Sequence, residues 1–186
     1  MRILLVDESP SRGALLRDGL EMAGHEVVAT LGSALALASC IDVLAPDVVV
    51  VDTESPTRDT LEHLVLASAD TPRPIVMFSA NDDTEFIRAA MRAGVTAYVA
   101  SDIAPQRVRA IIDVALAQFD EFQRLRAALA RAQQGLSERK TIERANGLLM
   151  RSRGLSEEDA YSLMRKGAMS RKEKIIVVAQ RILEQG

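Results

Sequence analysis

The run Val48–Val51, VVVV, decides the fold of this 186-residue chain. Its four consecutive valines leave no polar side chain for either face of a strand, so both faces must be covered. Sheets are covered in this way when their strands are parallel, because the crossover connections place helices on both faces. The segment therefore predicts the central strand of a parallel α/β sheet.

Four other short apolar runs surround this strand and alternate with apolar residues at helical spacing. Such alternation is typical of a doubly wound sheet. We therefore predict a five-stranded parallel α/β domain over residues 1–118. Its remaining strands are Ile3–Val6, Glu26–Ala29, Ile75–Phe78 and Ala97–Val99.

Polar side chains follow three of these strands where each one ends. Asp7 and Glu8 follow the first strand, Asp52 follows the third and Ser79 the fourth. The carboxyl ends of parallel strands meet at one edge, where ligands of such sheets bind. Because crowded carboxylates are ligands for hard cations, the acids Asp7, Glu8 and Asp52 predict an acidic pocket with room for Mg²⁺, although no cofactor is required.

The charge is divided unevenly along the chain. Residues 1–120 contain 9 Arg against 18 Asp and Glu, a net charge of −9, whereas residues 121–186 contain 14 Lys and Arg against 8 acids, a net charge of +6. A basic segment behind an acidic body favours nucleic-acid binding. Aromatic residues make up only 3% of the chain, so helices and cations, rather than stacking aromatics, would make the contacts. All four lysines lie in the basic part: Lys140, Lys166, Lys172 and Lys174.

A long helix is predicted to begin near Pro105, since proline is favoured in a first helical turn. An apolar stripe continues along it at intervals of three or four residues, which favours a coiled-coil linker over residues 119–135. The stripe would be buried either in a homodimer, which we favour, or against the chain's own following helices. Its residues are Phe119, Phe122, Leu125, Leu129, Ala132 and Leu136.

Residues 136–186 predict a small three-helix domain. We expect Gly135 and Ser137 to interrupt the long helix, and Gly154 to end the helix that starts near Ser137. Ser156, followed by three acids, predicts the next helix start, and Ser170 the last.

The remaining composition indicates a cytoplasmic protein. Cys40 is the single cysteine, so no internal disulfide can form, and no run is long enough for a signal peptide or a membrane span. The two histidines have no ligand-type neighbours at metal-binding spacing.

Residues 1–118 resemble the receiver domain of bacterial response regulators. The matching motifs are VDES at 6–9, VVVVDTESP at 48–56, MFSAND at 77–82 and GVTAYVAS at 94–101. The resemblance implies that Asp52 is a phosphoacceptor, that Asp7 and Glu8 are metal ligands together with the Glu54 carbonyl, that Ser79 contacts phosphate and that Tyr98 is the switch aromatic. The lysine of the family aligns with Ser101. The loss of that charge favours an inherited, vestigial pocket over a working phosphoswitch, which stays the alternative.

The segment Leu136–Leu183 resembles the ANTAR module of transcription antitermination regulators. Its marks include Arg139-Lys140, Ile142-Glu143, Gly147, Ala160-Tyr161 and Ala168-Met169. Helix packing is the simpler explanation for Ala145, Leu149, Met150, Ala160, Leu163, Met164 and Ala168. The candidates for RNA contact are Arg139, Lys140, Arg144, Asn146, Arg151, Arg153, Arg165, Lys166, Arg171, Lys172 and Lys174, of which about half would be ordinary solvated cations. Asn146 stands where the family typically has lysine.

The whole chain resembles the AmiR/NasT family of ANTAR response regulators, and within it the NasT type. The resemblance implies a regulator, not an enzyme, that binds two hexaloop hairpins in the leader RNA of nitrate or nitrite assimilation genes and prevents termination. It also implies a nitrate-sensing partner protein, a homodimer, and binding to neither membrane nor DNA. Three alternatives remain: a phosphorylation-dependent DNA-binding response regulator, a protein-binding adaptor, and a phosphohydrolase with Asp52 as nucleophile.

Overall fold

The computed structural model describes residues 1–8, 10–54, 56–69, 72–100 and 104–185. The chain divides into two compact units, Met1–Phe122 and Gln123–Gly186. Among the described helices, none combines the length and the apolar character needed to cross a membrane.

The first unit is built on a five-stranded parallel sheet, as predicted. The strand order is β2-β1-β3-β4-β5, so the order reverses between β1 and β3. Neighbouring strands are paired in parallel throughout. The strands are β1 (Arg2–Asp7), β2 (Glu26–Leu31), β3 (Val48–Thr53), β4 (Ile75–Ser79) and β5 (Ala97–Val99).

Helices connect the strands and cover the sheet. Four of them belong wholly to the first unit, and a short 3₁₀ turn, Ala34–Ala36, precedes the second. The helices are α1 (Pro10–Met22), α2 (Leu37–Leu44), α3 (Arg58–Ala69), α4 (Thr84–Arg92), α5 (Pro105–Arg153), α6 (Glu157–Arg171) and α7 (Ile175–Gln185).

The four valines of β3 alternate between two cores. Val48 and Val50 belong to one buried cluster and Val49 and Val51 to the other, because successive side chains of a strand point to opposite faces. All four are fully buried. The prediction that both faces of this strand are covered is therefore confirmed.

One glycine permits a close helix contact in the first unit. A Cβ at Gly19 of α1 would lie 2.7 Å from Val108 Cγ2 and 3.0 Å from Pro105 Cα. Val108, Ile112 and Ala115 are fully buried beside it. The predicted start of α5 at Pro105 is confirmed.

The predicted interruption of the long helix is wrong. α5 continues from Pro105 to Arg153 through Gly135 and Ser137. The Thr141 hydroxyl donates to the Ser137 carbonyl oxygen at 3.0 Å, so the side chain of Thr141 reaches back along a continuous helix. A helical glycine costs about 1 kcal/mol relative to alanine, which flanking helix formers offset. The helix ends at Gly154, with φ of 63°, as predicted.

The second unit contains the last part of α5 together with α6 and α7. Ser156 caps α6 as predicted, since its hydroxyl accepts from the Asp159 backbone N–H at 3.1 Å. Ser170 does not open the last helix, because α6 continues to Arg171 and turns at Lys172, whose φ is 55°. The buried core of the unit consists of Ala145, Leu149, Ala160, Met164, Ala168, Val178 and Ala179.

Two residues predicted to belong to this core lie at its edge. Met150 and Leu163 are 37% and 40% exposed. Each is adjacent in sequence to a core residue, and a helix turns neighbouring side chains by about 100°.

Candidate nucleic-acid interface and acidic pocket

The carboxyl ends of β1 and β3 lie side by side where the strand order reverses. Asp7 is paired with Asp52 across this edge, and the Glu8 backbone N–H donates to the Asp52 carbonyl oxygen at 3.0 Å. Asp52 and Ser79 are fully buried, whereas Glu8 is exposed. The structure therefore places the predicted pocket residues at one edge of the sheet.

Hydrogen bonds connect the ends of β3, β4 and β5. The Ser79 hydroxyl donates to the Glu54 carbonyl oxygen at 3.3 Å, and the Asn81 backbone N–H donates to the Ser79 hydroxyl at 3.1 Å. The Tyr98 hydroxyl donates to the Asn81 carbonyl oxygen at 2.7 Å. Its ring lies beside Phe86 of α4, with the ring centroids 6.3 Å apart. The loop after β4 thus links the buried serine to the predicted switch aromatic.

Two close contacts involve residues that were expected to hold Mg²⁺. The Asp7 carboxylate packs so closely on Gly13 of α1 that a Cβ at that position would overlap it. The Glu54 carbonyl oxygen, an expected ligand, accepts the Ser79 hydroxyl at 3.3 Å, which leaves its second lone pair unused by this hydrogen bond. Within the described ranges, no three histidine, cysteine, aspartate or glutamate side chains are grouped so that they could hold a metal ion.

Receiver domains of the resembled family carry a lysine after the fifth strand, and in this chain that position is known only from the sequence. Ser101, predicted to stand in its place, lies outside the described residues. The sequence contains no lysine before Lys140, so no lysine of the first unit can take its role.

The predicted RNA-contacting cations are exposed on the helices of the second unit. Arg139 donates through Nε to Glu143 Oε1 at 2.9 Å, one turn further along α5. Both side chains are largely exposed, so solvent screens this ion pair and it holds Arg139 only weakly. The exposed cations are Arg139, Lys140, Arg144, Arg151 and Arg153 on α5, Arg165, Lys166 and Arg171 on α6, and Lys172 and Lys174 after it.

Three of these cations line an open groove of about 510 Å³. Lys140, Arg144, Gly147 and Arg151 follow one another at intervals of four, three and four residues, so they share one face of α5. Gly147 forms the floor, and a Cβ there would lie 3.5 Å from Arg151 Nη1. The rest of the lining is Glu143, Leu148 and, from α7, Leu183.

Asn146 does not lie on this face. It is only 8% exposed, and its Nδ2 donates to the Glu157 carbonyl oxygen at 3.3 Å, from α5 to the start of α6. Its Oδ1 is buried and has no hydrogen-bond partner among the described residues. The helical phase explains the difference, because Asn146 lies three residues before the core residue Leu149 and so shares its face of α5. Its burial does not agree with the predicted RNA contact and indicates a structural role.

Among the uncharged lining residues, Gly147 was expected only as a mark of the ANTAR resemblance, and Leu148 and Leu183 were not expected to line a site. The spacing of Lys140, Arg144 and Arg151 around Gly147 was a usable signal, since it aligns three cations on one helix face with a gap between them. No comparable signal exists for Leu183, because its approach to α5 depends on the packing of α7.

Comparisons with known protein families match two different domains to two separate parts of the chain. Residues 3–113 match the family described as response regulator receiver domain, and residues 130–183 match the ANTAR domain. The receiver match covers more than half of the chain.

Two curated relatives and one solved structure illustrate the similarity. The chain is 27% identical over 183 residues to the transcriptional regulatory protein PdtaR of Mycobacterium tuberculosis (strain ATCC 25618 / H37Rv), 98% of this chain and 89% of that protein. It is 38% identical over 66 residues to the nitrate regulatory protein of Klebsiella oxytoca, 36% of this chain and 17% of that protein. The signal receiver domain of a modulated diguanylate cyclase from Desulfovibrio desulfuricans G20 aligns with a TM-score of 0.56 at 24% identity, covering 64% of this chain and 95% of that chain, which shows the fold alone.

Proposed function

The chain belongs to the response regulator receiver family and carries an ANTAR domain, and on that premise we propose that it is an RNA-binding transcription antitermination regulator. It binds two hexaloop hairpins in a leader transcript and thereby prevents a terminator from forming. The observation that carries the proposal is the cationic groove of α5, where Lys140, Arg144 and Arg151 share one helix face.

Electrostatics support RNA contact through the second unit. The first 120 residues have a net charge of −9 and repel a polyanion, whereas residues 121–186 have a net charge of +6. Cations that neutralise phosphates release counterions, so affinity falls steeply as salt rises. Exposed arginines and lysines on adjoining helices suit the backbone of a folded RNA.

We also propose that a partner protein, rather than phosphorylation, controls the activity. The support is in the sequence: no lysine precedes Lys140, so the first unit has no lysine to neutralise a phosphoryl group on Asp52. A nitrate-sensing protein is the partner that fits the similarity to the nitrate regulatory protein, which extends over 66 residues. In this proposal the protein is not an enzyme, and it regulates nitrate or nitrite assimilation genes.

The test is a binding assay with a fluorescent leader RNA that contains two hexaloop hairpins. The variant with Arg139→Gln, Lys140→Gln and Arg144→Gln should bind more weakly than the wild type. The slope of the logarithm of affinity against the logarithm of salt concentration should also be shallower. The expected change is about 0.7 to 0.9 for each phosphate that the variant no longer neutralises. Anisotropy titrations between about 50 and 200 mM salt measure both quantities.

Two controls separate this function from its alternatives. Arg88→Gln removes one arginine from the first unit and should leave binding unchanged. Duplex DNA of the same sequence should compete poorly, because its groove geometry differs from that of an RNA loop. Equal competition would indicate a DNA-binding regulator, and absence of salt-dependent binding would indicate a protein adaptor; either result contradicts the proposal.

A further inference from the structure

We propose that the groove between α5 and α7 receives one unstacked nucleobase of the RNA loop, in addition to backbone phosphates. This inference rests on the RNA-binding function proposed above. It names the chemical group that the groove recognises.

The shape of the groove suits a flat ring. Its volume of about 510 Å³ lies in the range typical of small-ligand sites, about 300–1,000 Å³. Gly147 leaves the floor open, whereas any other residue at this position of α5 would project a side chain into it. A helical glycine costs stability relative to alanine, and here it keeps one lining position of the groove free of a side chain.

The walls of the groove match the two chemical faces of a base. Leu148 and Leu183 provide apolar surface, while the Arg151 guanidinium lies over the floor, with Nη1 3.5 Å from the position of a Cβ at Gly147. Single-stranded RNA is commonly recognised by bases that leave the stack and pack on aromatic rings or on arginine planes. This chain has no tryptophan and few aromatic residues, so Arg151 supplies the stacking plane.

A carboxylate among the cations gives the groove its specificity. Glu143 lines the groove and accepts one hydrogen bond from Arg139, which leaves further acceptor capacity on its two oxygens. An exocyclic amino group is the donor that a base presents to such an acceptor. Adenine, cytosine and guanine carry this group and uracil does not, so the groove prefers a base with an amino group. Lys140 and Arg144 would neutralise the neighbouring phosphates.

The experiment measures affinity for leader RNAs in which each loop nucleotide is replaced in turn by an abasic nucleotide. Base stacking on a protein side chain changes affinity by about 5- to 150-fold. The full-length wild type should lose affinity by this factor at one loop position and change little at the others. Uracil at that position should also weaken binding.

Gly147→Leu fills the floor of the groove and should make binding weaker and indifferent to the abasic substitution. Its salt dependence should stay unchanged, because the phosphate-binding cations remain. The matched control is Gly135→Leu, the same substitution in the same helix at a position with no neighbouring atom within 4 Å. Glu143→Gln keeps the shape of the side chain and should abolish the preference for an amino-bearing base over uracil.

The outcomes are distinguishable. If the wild type binds RNA with a steep salt dependence but no abasic position matters, the base-binding groove is wrong and the proposed function stands. If Gly147→Leu and Glu143→Gln both fold and keep the wild-type loop profile, the base is bound elsewhere. Absence of salt-dependent RNA binding overturns the proposed function and this inference together.

Discussion

Asp52 is fully buried at the end of β3, opposite Asp7. Asp52→Ala should leave RNA affinity nearly unchanged, because the cations proposed to contact RNA belong to the second unit and no lysine of the first unit can read a phosphoryl charge. Titration of the leader RNA measures the affinity, and a melting curve verifies the fold. Lys140→Gln is the comparison that should lose affinity. Loss of antitermination by a folded Asp52→Ala protein would show that the pocket is a working switch.

His25 is the residue for which the structure predicts a dependence on pH. Burial lowers its pKa below the ordinary value of 6.5, the nearby N-terminal amino group and Arg109 lower it further, and Asp113 opposes them. Its Nε2 is buried without a hydrogen-bond partner in the described part of the chain. The unfolded chain therefore binds a proton at a pH where the folded chain does not, and the free energy of unfolding should decrease as the pH falls through 6.5.

His25→Gln should remove the part of the pH dependence of the free energy of unfolding that comes from His25. Urea unfolding at several pH values between about 7.5 and 5 measures how the free energy of unfolding changes with pH in the wild type and in the variant. The wild type should lose more stability than the variant as the pH falls. Parallel curves for the two proteins would mean that His25 is not responsible.

Residue-level predictions from the sequence succeeded where a single element positions the side chain. Asp52 and Ser79 lie at the carboxyl ends of their strands, so the sequence was enough to predict their place at the edge of the sheet. The orientation of Asp7 was not, because it depends on its contact with Gly13 of α1. Likewise, the burial of Asn146 depends on the arrival of Glu157 from another helix.

At the scale of elements, the termini with local hydrogen bonds were predictable. Ser156 and the acids after it indicated the start of α6, and Gly154 indicated the end of α5. The two errors, at Gly135 and Ser170, have one cause. Glycine and serine weaken a helix without ending it when no neighbouring residue supplies an alternative cap.

Ser156→Ala should lower the free energy of unfolding by about 1 kcal/mol. The hydroxyl of Ser156 accepts from the Asp159 N–H at 3.1 Å and donates to the Asp159 carboxylate at 2.6 Å, and the substitution removes both hydrogen bonds. Urea unfolding followed by circular dichroism measures the change, and amide exchange should accelerate first in α6. Ser152→Ala, at an exposed position of α5, is the matched control and should cost nothing. An equal effect of the two substitutions would show that the cap is not stabilising.

At the scale of the whole molecule, α5 carries an apolar stripe of which four members are largely exposed in the described part of the chain. Phe122, Leu125, Leu129 and Leu136 are 61%, 61%, 59% and 57% exposed. Within the second unit, α6 and α7 leave Leu125, Leu129 and Leu136 largely exposed, which favours the predicted homodimer. Intervals of three and four residues are those of a two-stranded coiled coil. A second copy of the chain is thus the proposed partner of the stripe.

Dimerisation would link two RNA-binding units, so that binding of the second hairpin becomes intramolecular. Such linkage raises affinity by about 10²- to 10⁴-fold without any new contact. The variant Leu125→Glu/Leu129→Glu places like charges in the seam and should halve the mass measured by light scattering. Its affinity for the two-hairpin RNA should fall to that for one hairpin, while its affinity for a single hairpin stays the same.

Ala127→Glu is the control, because it adds one negative charge, against two in the test variant, to the same helix on the face opposite the stripe. It should leave both the mass and the two-hairpin affinity unchanged. A Leu125→Glu/Leu129→Glu monomer that still prefers two hairpins would mean that one chain contacts both. A variant that remains dimeric would place the interface elsewhere. Only a joint loss of dimer mass and two-hairpin preference supports the view that the stripe of α5 sets the pairing of the RNA sites.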